Sequence, residues 1–251
     1  MGVGILEVFG VALITAFATG LGAIPVGMLG PDRVARLQPM LLGITAGVMT
    51  AASVGLLIEP IQVGKYIPLA IGLLIGIAFL LIAQRAVEHR EGDDTHPFGK
   101  HQRRSILVFA VLFVHSLPEG FALGSAWAST TAALGLFVFI AISAQNIPEG
   151  TATAIPMAQA GYSRTRQFWA AVGTSLPQPV GAVIAYILVE QVRALLPWSL
   201  GFAAGAMFAL VLSDLLPEAF SEAGDRKPAT YGLVVSLIGM AVLGVALSAW
   251  A

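Results

Sequence analysis

Apolar residues in this chain recur in eight blocks of about 20, the length that crosses a bilayer as a helix. In order, the blocks fall at roughly 3–29, 38–58, 66–84, 105–127, 131–159, 167–190, 198–220 and 230–250, separated by short polar or Pro/Gly-containing turns. A water-soluble domain normally carries about 25% charged residues. This one has 11% over 251 residues, with 57% apolar, so most of its surface is not built for water. The expected fold class is an all-α membrane protein, a single transmembrane domain over 1–251. Met1-Gly2-Val3 puts no Lys or Arg ahead of the first block, which is therefore expected to be a retained span. Small residues such as Gly20, Gly22, Gly43, Gly47, Gly72 and Gly76 predict close helix packing.

Several function classes fall away on composition. The chain has no cysteine, which removes thiolate metal clusters and disulfide frameworks, and its net charge of -1 offers no basic patch for nucleic acid. No phosphate loop or paired-histidine hydrolase motif occurs, so an enzyme is not expected.

Orientation follows from where Lys and Arg lie, because cytoplasmic loops hold the excess. The loops after odd-numbered helices carry Arg33, Arg36, Arg85, Arg90, Lys100, Arg103, Arg104, Arg164, Arg166, Arg226 and Lys227, eleven of the thirteen. Only Lys65 and Arg193 fall on the other side. Both termini are therefore expected outside, extracellular or periplasmic. The long polar stretch 85–104, with His89, His96 and His101, reads as a solvated cytoplasmic loop between helices three and four.

Ionisable residues at membrane depth cost about 2.5–3.5 kcal/mol each at a helix centre and usually face a site or pathway. The middle of the fourth block reads His115-Ser116-Leu117-Pro118-Glu119-Gly120; the fifth reads Gln145-Asn146-Ile147-Pro148-Glu149-Gly150. A short turn near Ala128 to Thr131 makes the copies antiparallel. A rise of about 1.5 Å per residue puts both glutamates near mid-membrane. His115 and Glu119 share a helical face, as do Gln145 and Glu149. Together they present one imidazole, two carboxylates and an amide oxygen. Pro118 and Pro148 are expected to kink the helices and free the carbonyls of Val114 and Ala144. No Lys or Arg interrupts either block to pair the acids, which leaves a divalent cation or protonation to neutralise them.

At these residues the sequence resembles the ZIP (Zrt/Irt-like) family of divalent metal transporters, whose fourth and fifth helices carry paired His-Asn-x-Pro-Glu-Gly-type motifs. The resemblance implies inverted repeats of helices 1–3 and 6–8 around helices 4 and 5, moving zinc or related ions (Cd2+, Fe2+, Mn2+) toward the cytoplasm. By position it assigns His115, Glu119, Gln145 and Glu149 to the transport site. It adds Asn146 as a residue that joins that site and Met49 as a soft ligand on the second helix. Members that hold two ions use Asn, Asp and a sixth-helix Glu for the second; here Ser116, Asn146 and Gln178 stand there. The lost carboxylates predict one tight site, with at most a weak second one at Ser116 and Gln178. Asp214 and Glu218, in an acidic segment similar to one in the family, are expected to form an exit path with the loop histidines. Glu7 and Glu59 fall nearer the outer side.

The leading expectation is thus an inner- or plasma-membrane carrier of a divalent metal as substrate, with no resident cofactor. Its partners would be metal ions and the lipid bilayer, and a homodimer is compatible with the pattern. Two other readings use the same residues: a proton-coupled carrier of a small organic solute, with His115 as relay, and a non-transporting membrane metal sensor.

Overall fold

A computed structural model describes residues 4–89, 100–221 and 226–249, and leaves the side chains of 88, 89, 100–104 and 132 undescribed. Among the described residues there is no strand, and eight helices are long and apolar enough to cross a membrane. They are α1 (Ile5–Leu29), α2 (Gln38–Gln62), α3 (Tyr66–Val87), α4 (Ser105–Ala128), α5 (Ala133–Gln159), α6 (Arg164–Gln191), α7 (Arg193–Ala219) and α8 (Lys227–Ser248). Large apolar side chains such as Leu74, Ile82, Val235 and Val245 point outward, as a lipid-facing surface requires.

The helices reach a little past the apolar blocks, since the backbone ladder continues into water where polar side chains are welcome. The C-terminal end of α2 takes in Glu59 and Pro60. Helix continues from α3 through His89 and begins again at Lys100 ahead of α4, so the polar connection is shorter than 85–104. His96 lies outside the described residues, as do the side chains of His89 and His101.

Three spans are irregular, each beside a glycine or proline. α1 breaks at Gly22 between Ile5–Leu21 and Ala23–Leu29. α6 breaks between Arg164–Thr174 and Pro177–Gln191, where Pro177 has no N–H to continue the backbone ladder. α7 widens into a π-helical turn over Val211–Leu215, ahead of Pro217, which has no N–H to give. By contrast, α4 and α5 run through Pro118 and Pro148 as continuous helices.

Two four-helix groups result. α1, α4, α5 and α6 pack together, with α4 against α6 and α1 against α5; α2, α3, α7 and α8 form the other, with α3 against α7 and α2 against α8. The groups meet where α5 lies on α2 and α4 on α7. The glycine closing each repeated motif explains the tight fit inside the first group. A Cβ on Gly120 would lie 2.3 Å from the Gln178 carbonyl of α6, and one on Gly150 would lie 1.8 Å from the Thr19 carbonyl of α1. Only glycine permits those approaches. The motif therefore specifies packing as well as chemistry, because the glycine next to each glutamate holds a partner helix against it.

Candidate functional site

Both motif glutamates are inside the bundle: Glu119 is 1% exposed and Glu149 7%. A buried carboxylate needs donors or a cation. Glu119 takes two amides, Gln145 Nε2 at 2.5 Å and Gln178 Nε2 at 2.6 Å. Gln178 is itself anchored, its Oε1 accepting from Thr15 Oγ1 at 2.8 Å and from Asn146 Nδ2 at 3.1 Å. It also donates to Asn146 Oδ1 at 3.2 Å, and Asn146 Nδ2 reaches the Thr15 carbonyl at 2.7 Å. The result is a fully buried network linking α1, α4, α5 and α6.

Glu149 is placed differently. With His115 it lines a cavity of about 670 Å³ that runs to the exposed Glu218 and Ser221 at one end of the bundle. Thr45, Gln84, Ser213 and Asp214 supply further polar lining. The His115 imidazole, 4% exposed, has no hydrogen-bond partner at either nitrogen, and Gln145 Oε1 has none either. Such orphaned polar groups in a protein interior call for an explanation, and a metal ion that takes the free electron pair of one imidazole nitrogen and of the amide oxygen supplies one.

The structure thus brings Gln145 to Glu119 and sets His115 and Glu149 on one cavity wall. Among the described residues it does not gather three His, Asp or Glu side chains into a single ion-sized cluster. Met49 is fully buried and shares a narrow crevice with His115, Pro118 and Met207. Ser116 is buried, its Oγ donating to the Leu112 carbonyl at 3.0 Å. Asn146 and Gln178 have their amides engaged in the network. Asp214 and Glu218 line the cavity, with Asp214 Oδ2 3.9 Å from His115 Nε2.

Two residues absent from the sequence reading emerge here. Gln84 donates to Asp214 Oδ2 at 2.6 Å on the cavity wall, and Thr15 anchors Gln178. Uncharged polar residues at membrane depth were the signal for these two.

A family model described as ZIP Zinc transporter matches residues 82–247. The chain belongs to the ZIP family. Among relatives, it is 30% identical over 260 residues to the zinc transporter GufA of Myxococcus xanthus, covering 98% of this chain and 100% of that protein. It is 31% identical over 265 residues to the zinc transporter ZupT of Corynebacterium aurimucosum, covering 96% of each. A candidate zinc transporter of Arabidopsis thaliana is 34% identical over 238 residues; there the match takes in 93% of this chain but 38% of the longer plant protein. This ZIP chain is accordingly an integral, multi-pass membrane protein from a family of metal-ion transporters, not enzymes. Metal ions are its substrates rather than resident cofactors. Neither the organic-solute carrier nor the sensor is favoured by these relatives.

Proposed function

We propose that this ZIP protein carries a divalent transition metal, zinc foremost, across the cell membrane toward the cytoplasm through a site made of His115, Glu119, Gln145 and Glu149. The observation that carries the reading is a pair of buried groups without hydrogen-bond partners, the His115 imidazole, which shares a cavity wall with Glu149, and Gln145 Oε1, whose amide nitrogen is bonded to Glu119. Two carboxylates balance a 2+ charge, imidazole nitrogen suits zinc, and the amide oxygen fills the shell. On loading, Glu119 exchanges the Gln145 N–H for the cation and Gln145 presents its free oxygen. Met49, across the crevice from His115, adds a soft sulfur ligand.

The Gln178 amide supports one ion rather than two. It donates to the Glu119 oxygen that a second cation would claim, and an N–H donor cannot ligate. Asn146 belongs to the same closed network and steadies Gln178. From the site the ion passes Asp214, Gln84 and Glu218 to the cavity mouth, which lies at the end of the bundle carrying most Lys and Arg and is therefore cytoplasmic.

Transport proceeds by one four-helix group rocking against the other, opening the midplane site to each side in turn. The packing pairs agree with inverted repeats: α2 on α8 is exchanged with α7 on α3, and α1 on α5 with α6 on α4. Uptake of radioactive zinc into proteoliposomes tests the proposal. Uptake is abolished in Glu119→Ala/Glu149→Ala; unchanged uptake in that double variant rejects the site.

A further inference from the structure

We infer that Glu59 and Arg193 are positioning residues for transport, forming a two-armed clasp on the α4–α5 turn that keeps the end opposite the cavity closed. The inference rests on the alternating-access reading above and adds to it a residue-level gate.

The turn from Ala128 to Thr131 is the shared tip of the two helices that carry the site. Glu59 reaches it from the other four-helix group, and Arg193 from the connection between α6 and α7 that joins the two groups. From α2, the Glu59 carboxylate accepts from the Ser129 hydroxyl and from Thr130 Oγ1 at 3.2 Å. From the start of α7, Arg193 donates through one guanidinium nitrogen to the Ala128 carbonyl and through the other to Glu190 Oε1 of α6 at 2.5 Å. The turn is also rigid within itself, since Thr131 N–H donates to Ser129 Oγ at 2.9 Å. A pull on Glu59 is thereby passed to the first residues of α5.

The charges suit the helix ends they meet. α4 finishes at the turn with its unsatisfied carbonyls, where a cation is favoured; α5 begins there with its unsatisfied N–H groups, where an anion is favoured. Arg193 and Glu59 stand on those respective sides. Just below, Ser125 of α4 and Ser199 of α7 share a hydrogen bond at 2.5 Å across the same boundary between groups, and Ser125 is fully buried. When one group rocks against the other to open this end, the contacts of Glu59 have to break, because they join α2 to the α4–α5 turn, while the Arg193–Ala128 contact ties the same turn to the connection from which α7 starts.

The chain has no cysteine, so Ser125→Cys gives a single thiol reporter beneath the clasp. Labelling of purified full-length protein in detergent by a water-soluble maleimide, without metal, is compared in this background with Glu59→Ala, Arg193→Ala and Ser129→Ala/Thr130→Ala. Each is expected to label about tenfold faster, the bias that loss of one charge-assisted hydrogen bond gives a two-state equilibrium. Ser129→Ala/Thr130→Ala removes the donors while leaving Glu59 in place and is expected to match Glu59→Ala, with melting temperatures near the parent. Equal labelling rates in parent and variants overturn the clasp, as does reduced zinc uptake with labelling unchanged, which would mark a purely structural role. Zinc uptake surviving Glu119→Ala/Glu149→Ala would overturn the transport site instead, and the labelling contrast is read independently of it.

Discussion

Glu119 shows how a buried carboxyl group can be held by neutral groups: two amide N–H donors at hydrogen-bond distance, of which Gln178 is anchored by Thr15 and Asn146. Its neighbour Glu149 looks into a cavity beside an imidazole with no partner. That asymmetry predicts different outcomes at the two ends of the site. His115→Ala, which removes a nitrogen donor without disturbing the network, should weaken zinc binding by about tenfold or more, some 1.4 kcal/mol, while leaving the apo protein's melting temperature nearly unchanged; titration calorimetry and thermal unfolding read the two. Gln178→Glu replaces a donor facing Glu119 by a second carboxylate. The apo form should melt lower through like-charge repulsion, added zinc should restore it, and elemental analysis should rise from one ion per chain toward two. A stoichiometry already at two in the unaltered protein would contradict the single-ion reading. The pair of motifs and the four residues proposed as ligands stand out in the sequence, since polar groups at membrane depth contrast with apolar neighbours. Gln84 and Thr15 were not, because an uncharged polar residue in a membrane helix shows its role only once its partner is known.

At the scale of elements, glycine placement decides which helices can touch. Gly150 sits where any Cβ would overlap the Thr19 carbonyl, whereas a Cβ on Gly239 of α8 meets nothing within 4 Å. Gly150→Ala should therefore destabilise by about 1–3 kcal/mol through overpacking. Gly239→Ala should be neutral or stabilising by up to about 1 kcal/mol, because alanine is the better helix former. Unfolding followed in detergent separates the two, and equal shifts would contradict the packing argument. The four-residue glycine spacing was visible in the sequence for Gly43 and Gly47 and for Gly72 and Gly76, and those pairs do meet partners, α8 and α7 respectively. What spacing alone left open was which partner each face would meet. The interruptions of α1, α6 and α7 were not anticipated from the sequence, although Pro177 and Pro217 stand beside two of them; α4 and α5 stay helical through Pro118 and Pro148.

For the whole molecule, the two four-helix groups are joined differently at their two ends. Toward the cavity mouth, polar side chains are spaced around open volume; at the α4–α5 turn, Glu59 binds across the boundary and Arg193 binds from the α6–α7 connection. The uneven Lys and Arg count orients this arrangement, so reporter fusions at either terminus should be active outside the cytoplasm, and a cytoplasmic reading at both would reverse the proposed direction of transport. The sequence by itself determined the membrane class, the number of spans and the residues with chemistry to offer, because hydropathy and the expense of burying charge act locally on each segment. Only the tertiary structure decided that Gln178 would close on Glu119, that Asp214 would stand beside His115, and that a turn at the far end would be gripped from two sides. Those contacts join residues far apart in the chain, and their geometry is set by how helices pack, which no single segment encodes.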